Sequence, residues 1–180
     1  VGELGDGDEL PVKGERLSAE RVVNGRLHDL PLAPFRGGSY VVIFLSPRGY
    51  HRIHMPASGQ ILRSQWVPGR YFPQNERALD VIPAVYERNE RAALGCEADE
   101  GWPFVLVLVG ASLVGGIELQ GVPRARWARR APLLEARPLR KGEELGHFRF
   151  GSTVVLLLPP GRPALRCRRG DELRMGQALT

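Results

Sequence analysis

Glycine and proline punctuate this chain so often that no long helix fits between them. The 180 residues include 22 glycines and 15 prolines, and between these breakers lie short apolar runs rich in Val, Ile, Leu and Phe. Runs of that length, bounded by turn residues, read as buried strands. The expected fold is therefore mainly β: a sandwich or barrel-like single domain with one or two short helices. A chain of this length that is 43% hydrophobic can enclose one core, so one domain over residues 1–180 is the default.

The same punctuation sets the individual elements. Ser39–Leu45 reads as a buried strand closed by the turn Ser46-Pro47-Arg48-Gly49. Residues 51–56, a turn at Ser58-Gly59 and a strand over 60–67 have hairpin-like spacing. Residues 80–93 form the best helical stretch, with Pro83 placed to start or interrupt it. Residues 102–109 and 111–119 read as two paired strands split at Gly110 and loosened at Gly115-Gly116. Alternation over 147–150 puts Phe148 and Phe150 on one face; Gly151-Ser152-Thr153 then interrupts, and 154–158 resumes as an apolar strand. The tail, 162–180, alternates enough for one or two edge strands.

The formal charge is +5, and only Lys13 and Lys141 among the 25 basic side chains are lysines. Guanidinium groups suit phosphate, so composition alone leaves anionic lipid headgroups, nucleic acid, phosphorylated metabolites and a plain solvated surface open. The arginine cluster of 124–130, with Trp127 inside it, reads as an exposed loop or short helix. Cys96 and Cys167 lack metal-site spacing and read as free thiols in a reducing compartment. No apolar run approaches the roughly 18 residues of a spanning helix, and the N-terminus has no signal pattern, so the expectation is a soluble or peripheral protein. The chain opens on Val1 and a polar stretch, so removal of something upstream is expected.

Two segments can carry chemistry. His51 and His54 stand three apart between Tyr50 and Pro56. Imidazole ordinarily titrates nearest neutrality, so two of them can divide acid and base work; one buried core histidine and one surface histidine is the competing account. No third ligand lies nearby in sequence to make a zinc site. Gly151-Ser152-Thr153 combines a residue free in its backbone with a hydroxyl that reaches the preceding carbonyl, although a short Gly-Ser-Thr is also an ordinary turn or bulge. Val154 stands where a Gly-x-Ser-x-Gly elbow needs its second glycine.

Taken together, Tyr50-His51-Arg52-Ile53-His54-Met55-Pro56, Lys141-Gly142-Glu143-Glu144-Leu145-Gly146 and Phe148-Arg149-Phe150-Gly151-Ser152-Thr153 closely resemble the phosphatidylserine decarboxylase family. Arg88-Asn89-Glu90-Arg91, Val109-Gly110-Ala111 and Val114-Gly115 add matches in the family's order, and the resemblance runs from about Gly37 to Gly176. It implies autocatalytic cleavage between Gly151 and Ser152 into a β-chain part, 1–151, and an α-chain part, 152–180. Ser152 would become a pyruvoyl group, the electron sink for decarboxylating phosphatidylserine to phosphatidylethanolamine. By the same resemblance His54 is the base of self-cleavage, His51 the acid of turnover, and Gly151 and Thr153 flank the cofactor. Thr153 and nearby amides are candidates to steady the oxyanion, no metal is expected, and Arg52 and the 124–130 cluster are candidate phosphate or membrane contacts. The implied partners are phosphatidylserine, an anionic membrane surface, the two chains of the cleaved precursor and a second copy in a homodimer, without nucleic acid. The implied location is peripheral, on the cytoplasmic face of the membrane.

The sequence departs from the family pattern twice. The Pro-x-Asp-Gly element whose aspartate pairs with the base histidine does not occur in 1–180, where Asp6, Asp8 and Asp29 are formal substitutes, and Gly49 stands where an aspartate is common. Three rivals follow: a degenerate, non-catalytic lipid-binding relative; a serine hydrolase using Ser152 and His54; and a lipoyl-like carrier, for which neither Lys13 nor Lys141 has suitable surroundings.

Overall fold

The computed structural model describes residues 1–4, 9–12, 15–24, 31–111, 116–123, 137–149 and 151–180. In chain order its strands are β1 (Gly2–Glu3), β2 (Glu9–Val12), β3 (Glu15–Ser18), β4 (Ser39–Leu45), β5 (Arg52–His54), β6 (Gly59–Val67), β7 (Arg91–Ala98), β8 (Pro103–Gly110), β9 (Ile117–Leu119), β10 (Pro138–Leu139), β11 (Glu144–Phe148) and β12 (Ser152–Leu158). The helices are α1 (Ala19–Asn24), α2 (Glu76–Val81) and α3 (Val85–Arg88). The domain is mainly β, as the punctuation requires.

A seven-stranded sheet in the order β1-β4-β12-β8-β7-β6-β10 forms the centre, and every pairing in it is antiparallel. A three-stranded sheet, β5-β11-β9, covers one face, and β2 pairs with β3 beside the other. The unbroken apolar runs of β8 and β12 follow from burial on both faces. Phe104, Leu106, Leu108, Leu156 and Leu158 join Ile53, Met55, Ile117 and Phe148 in one core cluster. Their alternates Val105, Val107, Val109, Val155 and Leu157 join Val22, Val23, Phe35, Val85 and Tyr86 in the other. At about 1.5–3 kcal/mol per fully buried aliphatic side chain, this double burial makes β12 one of the best-anchored strands.

Several local expectations change. The helix expected over 80–93 is two short helices, because Ile82 ends α2, Pro83 follows, and Ala84 turns left-handed at φ 53 before α3. The chain then becomes β7 at Arg91, whose residues are buried almost throughout. Residues 51–56 and 60–67 are not a hairpin: β5 pairs with β11, whereas β6 pairs with β7 and β10. β8 and β9 are likewise not partners, since β8 is taken by β7 and β12 and β9 by β11. No strand forms over 162–180. Glycines at positive φ, Gly161, Gly170 and Gly176, turn the tail, while Leu165, Cys167, Leu173 and Leu179 pack on the first core cluster. Lys13, Asp6, Asp8, Asp29, Val114, Gly115, Phe150 and the 124–130 arginines lie outside the described residues.

Candidate functional site

Between Phe148, the end of β11, and Ser152, the start of β12, the chain crosses from the small sheet to the large one. Gly151 makes this crossing at φ +43. An L side chain is disfavoured in that region, so the conformation demands glycine. Among the described residues, space does not: a Cβ there would meet Ala111 Cβ at 3.8 Å and Pro47 Cγ at 3.9 Å, both ordinary contacts. The turn read at Gly151-Ser152-Thr153 is therefore confined to its glycine; Ser152 and Thr153 are already in register.

Ser152 stands opposite Leu45 on β4 and Gly110 on β8. It is 0% exposed, and its Oγ has no hydrogen-bond partner among the described residues. Strand alternation gives it the face of Val154, Leu156 and Leu158, which packs against the three-stranded sheet. Thr153 points to the other face. Its Oγ1 donates to Gln74 Oε1 at 2.6 Å, and Gln74 Nε2 donates to the Gly110 carbonyl at 2.9 Å. Asn89 Nδ2 donates to that same carbonyl at 2.9 Å. Beside this group burial raises the Tyr86 phenol above its ordinary value, the Thr153 hydroxyl pulling it back down.

The two histidines sit at the end of the small sheet. His54 pairs in register with Glu144, and its Nδ1 lies 2.8 Å from the Gly142 carbonyl. A carbonyl only accepts, so Nδ1 carries the proton and Nε2 is the free acceptor. That acceptor is occupied by the Tyr50 hydroxyl at 2.7 Å, and the Tyr50 ring stacks on the imidazole at 5.7 Å between centroids. His51 differs. Its Nε2 donates weakly to the Pro47 carbonyl at 3.3 Å, while its buried Nδ1 has no partner among the described residues. Pro47, with Ala111, also lines Gly151, so His51 is tethered to the wall of the Gly151 seat.

The structure thus gathers Gly151, Ser152 and Thr153 at one strand start and couples His51 to it through Pro47. It does not hydrogen-bond His54 to Ser152, because both imidazole nitrogens have other partners. The Thr153 hydroxyl is engaged on the face opposite the Ser152 side chain. Arg52 is exposed and paired with Glu144 at 2.6 Å. Cys96 and Cys167 are both buried and free, and burial pushes the Cys96 thiol up to about 12. Among the described residues, no three His, Cys, Asp or Glu side chains cluster as a metal site would require. Sequence reading missed Gln74, Asn89, Tyr50 and the Gly142 carbonyl. Asn89, Tyr50 and Gly142 sit inside motifs already singled out, whereas Gln74 has no local pattern to mark it.

The serine is buried, its Oγ has no hydrogen-bond partner among the described residues, and a residue without a side chain precedes it. The sequence model of the family described as phosphatidylserine decarboxylase matches residues 1–180. The phosphatidylserine decarboxylase proenzyme of Pseudomonas putida (strain GB-1) is 36% identical over 193 residues, covering 99% of this chain and 65% of the relative. The proenzyme of Azotobacter vinelandii is 38% identical over 191 residues, covering 99% of this chain and 65% of the relative. That of Marinobacter nauticus is 37% identical over 169 residues, covering 89% and 57%. The chain therefore spans slightly less than two thirds of the length of these curated relatives. A whole-length family match, these identities and a buried serine behind a left-handed glycine lead to one assignment: the chain belongs to the phosphatidylserine decarboxylase family.

Proposed function

We propose that the chain is the catalytic core of a self-processing enzyme that decarboxylates phosphatidylserine to phosphatidylethanolamine with a pyruvoyl group made from Ser152. The observation that carries this reading is the Ser152 hydroxyl, wholly buried and without a partner among the described residues, directly after Gly151 at φ +43. Leaving a buried hydroxyl unsatisfied costs about 1–3 kcal/mol, a cost that makes sense where the adjacent Gly151 carbonyl is its target. A serine hydrolase needs its nucleophile reachable in the intact chain, where Ser152 is 0% exposed; the proposed enzyme needs the position reachable only after the cut.

In the proposed maturation, Ser152 Oγ bonds to the Gly151 carbonyl carbon as the peptide C–N bond breaks, and the hydroxyl proton passes to the freed nitrogen. Loss of the Ser152 α-proton then breaks the Cβ–O bond and leaves a carboxylate on Gly151. Water replaces the nitrogen of the remaining dehydroalanine, releasing ammonia and giving the pyruvoyl terminus of residues 152–180. His54 is the base, with the Gly142 carbonyl holding its tautomer and Nε2 as the accepting atom; Tyr50 must yield that nitrogen first. When present, the pyruvoyl carbonyl supplies an electron sink for the loss of carbon dioxide. His51 returns a proton to the substrate α-carbon, and Gly151 and Thr153 flank the site.

The proposed partners are phosphatidylserine, the complementary chain of the cut precursor, an anionic membrane surface and a second copy of the protein. The proposed location is the cytoplasmic face, held peripherally. Exposed Phe44 and Tyr50 flank exposed Arg48 beside the site, an arrangement suited to an anionic interface. Among the described residues no helix is long and apolar enough to cross a membrane.

The test is the denatured intact mass of the full gene product, together with product analysis on phosphatidylserine vesicles. Two fragments meeting at Gly151/Ser152, the smaller reactive toward hydroxylamine, and appearance of phosphatidylethanolamine are expected. Ser152→Ala is expected to stay uncut and inactive; normal decarboxylation by it would overturn the proposal. An uncut wild-type chain would point to a lipid-binding relative without catalysis.

A further inference from the structure

The cut requires the Ser152 hydroxyl and the Gly151 carbonyl to be held in near-attack geometry, and a misplacement of about 1 Å can cost on the order of 100-fold in rate. Yet Ser152 is the first residue of its strand, and Gly151 before it belongs to neither sheet. Opposite it, β8 also ends, at Gly110, where past the last β7 pair, Arg91 with Val109, the Gly110 amide still donates to the Glu90 carbonyl at 2.9 Å while its own carbonyl has left the ladder. Two strand ends meeting at the reacting residue should fray unless something outside the ladder ties them.

Gln74 is that tie. Its amide reaches both strand ends at once: Oε1 accepts from Thr153 Oγ1 at 2.6 Å, and Nε2 donates to the Gly110 carbonyl at 2.9 Å. Thr153 adjoins Ser152 in sequence and Gly110 faces it in register, so the bridge straddles the reacting serine. Gln74 is 3% exposed, so water does not compete for either bond. The loop carrying it is itself held. Asn89 grips Phe72 from both sides, accepting from its amide and donating to its carbonyl at 2.9 Å each, and Arg70 N donates to the Arg88 carbonyl at 2.8 Å. Asn75 follows Gln74 and caps α2 by accepting from Ala78 N at 2.9 Å. Asn89 shares the Gly110 carbonyl and the Tyr86 phenol also meets the Thr153 hydroxyl, but among the described residues Gln74 is the side chain that joins the two strand ends to each other.

We infer that Gln74 is a positioning residue for self-cleavage, clamping the Gly110 carbonyl of β8 to the Thr153 hydroxyl of β12 so that Ser152 is presented rigidly to Gly151. The inference rests on the self-processing reading above and adds a residue that acts through Thr153 without touching the reacting atoms. Gln74→Leu and Thr153→Val share the loss of the Gln74–Thr153 hydrogen bond; Gln74→Leu also frees the Gly110 carbonyl, which Asn89 still holds, and Thr153→Val also removes the Tyr86 contact. Losing the partner of a buried polar group makes a slowing of about tenfold or more the expected effect of each.

The experiment follows cleavage of the full-length protein by intact mass after cell-free synthesis, between pH 6 and 9. Thermal melts of each variant in a Ser152→Ala background serve as the folding control. Both single variants should cleave at least about tenfold slower, and the double variant no slower than either. Thr153→Ser should recover most of the rate lost in Thr153→Val, and the inflection of the pH profile should stay where the wild type has it. Wild-type cleavage by Gln74→Leu overturns the clamp, as does a slowing that vanishes once rates are corrected for the folded fraction. Multiplicative slowing in the double variant also overturns it. An uncut wild-type chain removes the self-processing reading and the clamp together; a wild-type chain that cuts alongside an unaffected Gln74→Leu removes only the clamp.

Discussion

In the proposed self-cleavage, Tyr50 sits on the nitrogen of His54 that must accept the proton. Its hydroxyl lies 2.7 Å from His54 Nε2, the only nitrogen of that ring able to accept once Nδ1 is committed to Gly142. Before His54 can take a proton from Ser152 this bond must break, at a net cost of about 1 kcal/mol. Tyr50→Phe keeps the stacked ring and removes the obstacle, so self-cleavage should speed up by about fivefold, read as the half-time of fragment appearance. A slower variant would mean that the hydroxyl helps the base. The residues proposed to react, Gly151, Ser152, His51 and His54, were singled out because their motifs together resemble those of the family, not because any one motif is specific by itself. Their partners were not singled out. Gln74 and the Gly142 carbonyl are recruited by tertiary packing across dozens of residues, and a lone glutamine or a backbone oxygen leaves no trace in local spacing.

At the scale of elements, strands were easier to read than their neighbours. Ser39–Leu45 forms as expected because its apolar run is bounded by turn residues on both sides. Residues 80–93 misled because charged and apolar residues there fit a helical face, whereas burial on both faces claims everything from Arg91 onward for β7. Arg91 itself shows how the layers are joined. It is 1% exposed; Nε donates to the Val22 carbonyl at 2.6 Å and Nη1 to those of Glu87 at 2.8 Å and Asn89 at 2.7 Å. Nη2 donates to the Arg21 carbonyl. One side chain thereby ties α1 and α3 to the central sheet. Burial lowers its guanidinium to about 10, with the Glu87 carboxylate pulling it back up. Arg91→Met preserves much of the volume but strands these carbonyls, so a loss of about 2–5 kcal/mol is expected. In a chain of this size that is a fall in Tm of roughly 5–15 °C, measured in the uncut Ser152→Ala background. An unchanged Tm would mean that the helices hold to the sheet without it.

For the whole molecule, the consequence of a cut at Gly151/Ser152 depends on where β12 lies. It is an interior strand, with β4 paired along one side from Ser152–Leu45 to Leu158–Ser39 and β8 along the other. Val155, Leu156, Leu157 and Leu158 are all buried, and they divide between the two core clusters. Beyond the strand, Leu165, Cys167, Leu173 and Leu179 cover the first cluster, so the smaller fragment contributes to the core over much of its length. The four strand residues alone are worth roughly 6–12 kcal/mol of apolar burial, and the ladder bonds on both sides add to that. Cleavage breaks one peptide bond at a strand start and leaves these contacts in place. The fragments are therefore expected to stay together, eluting as one native species on gel filtration and separating only in denaturant, with the midpoint of separation coinciding with loss of the β signal in circular dichroism. Release of the 152–180 fragment under native conditions would show that the covalent link, and not the double burial of β12, holds the central sheet closed.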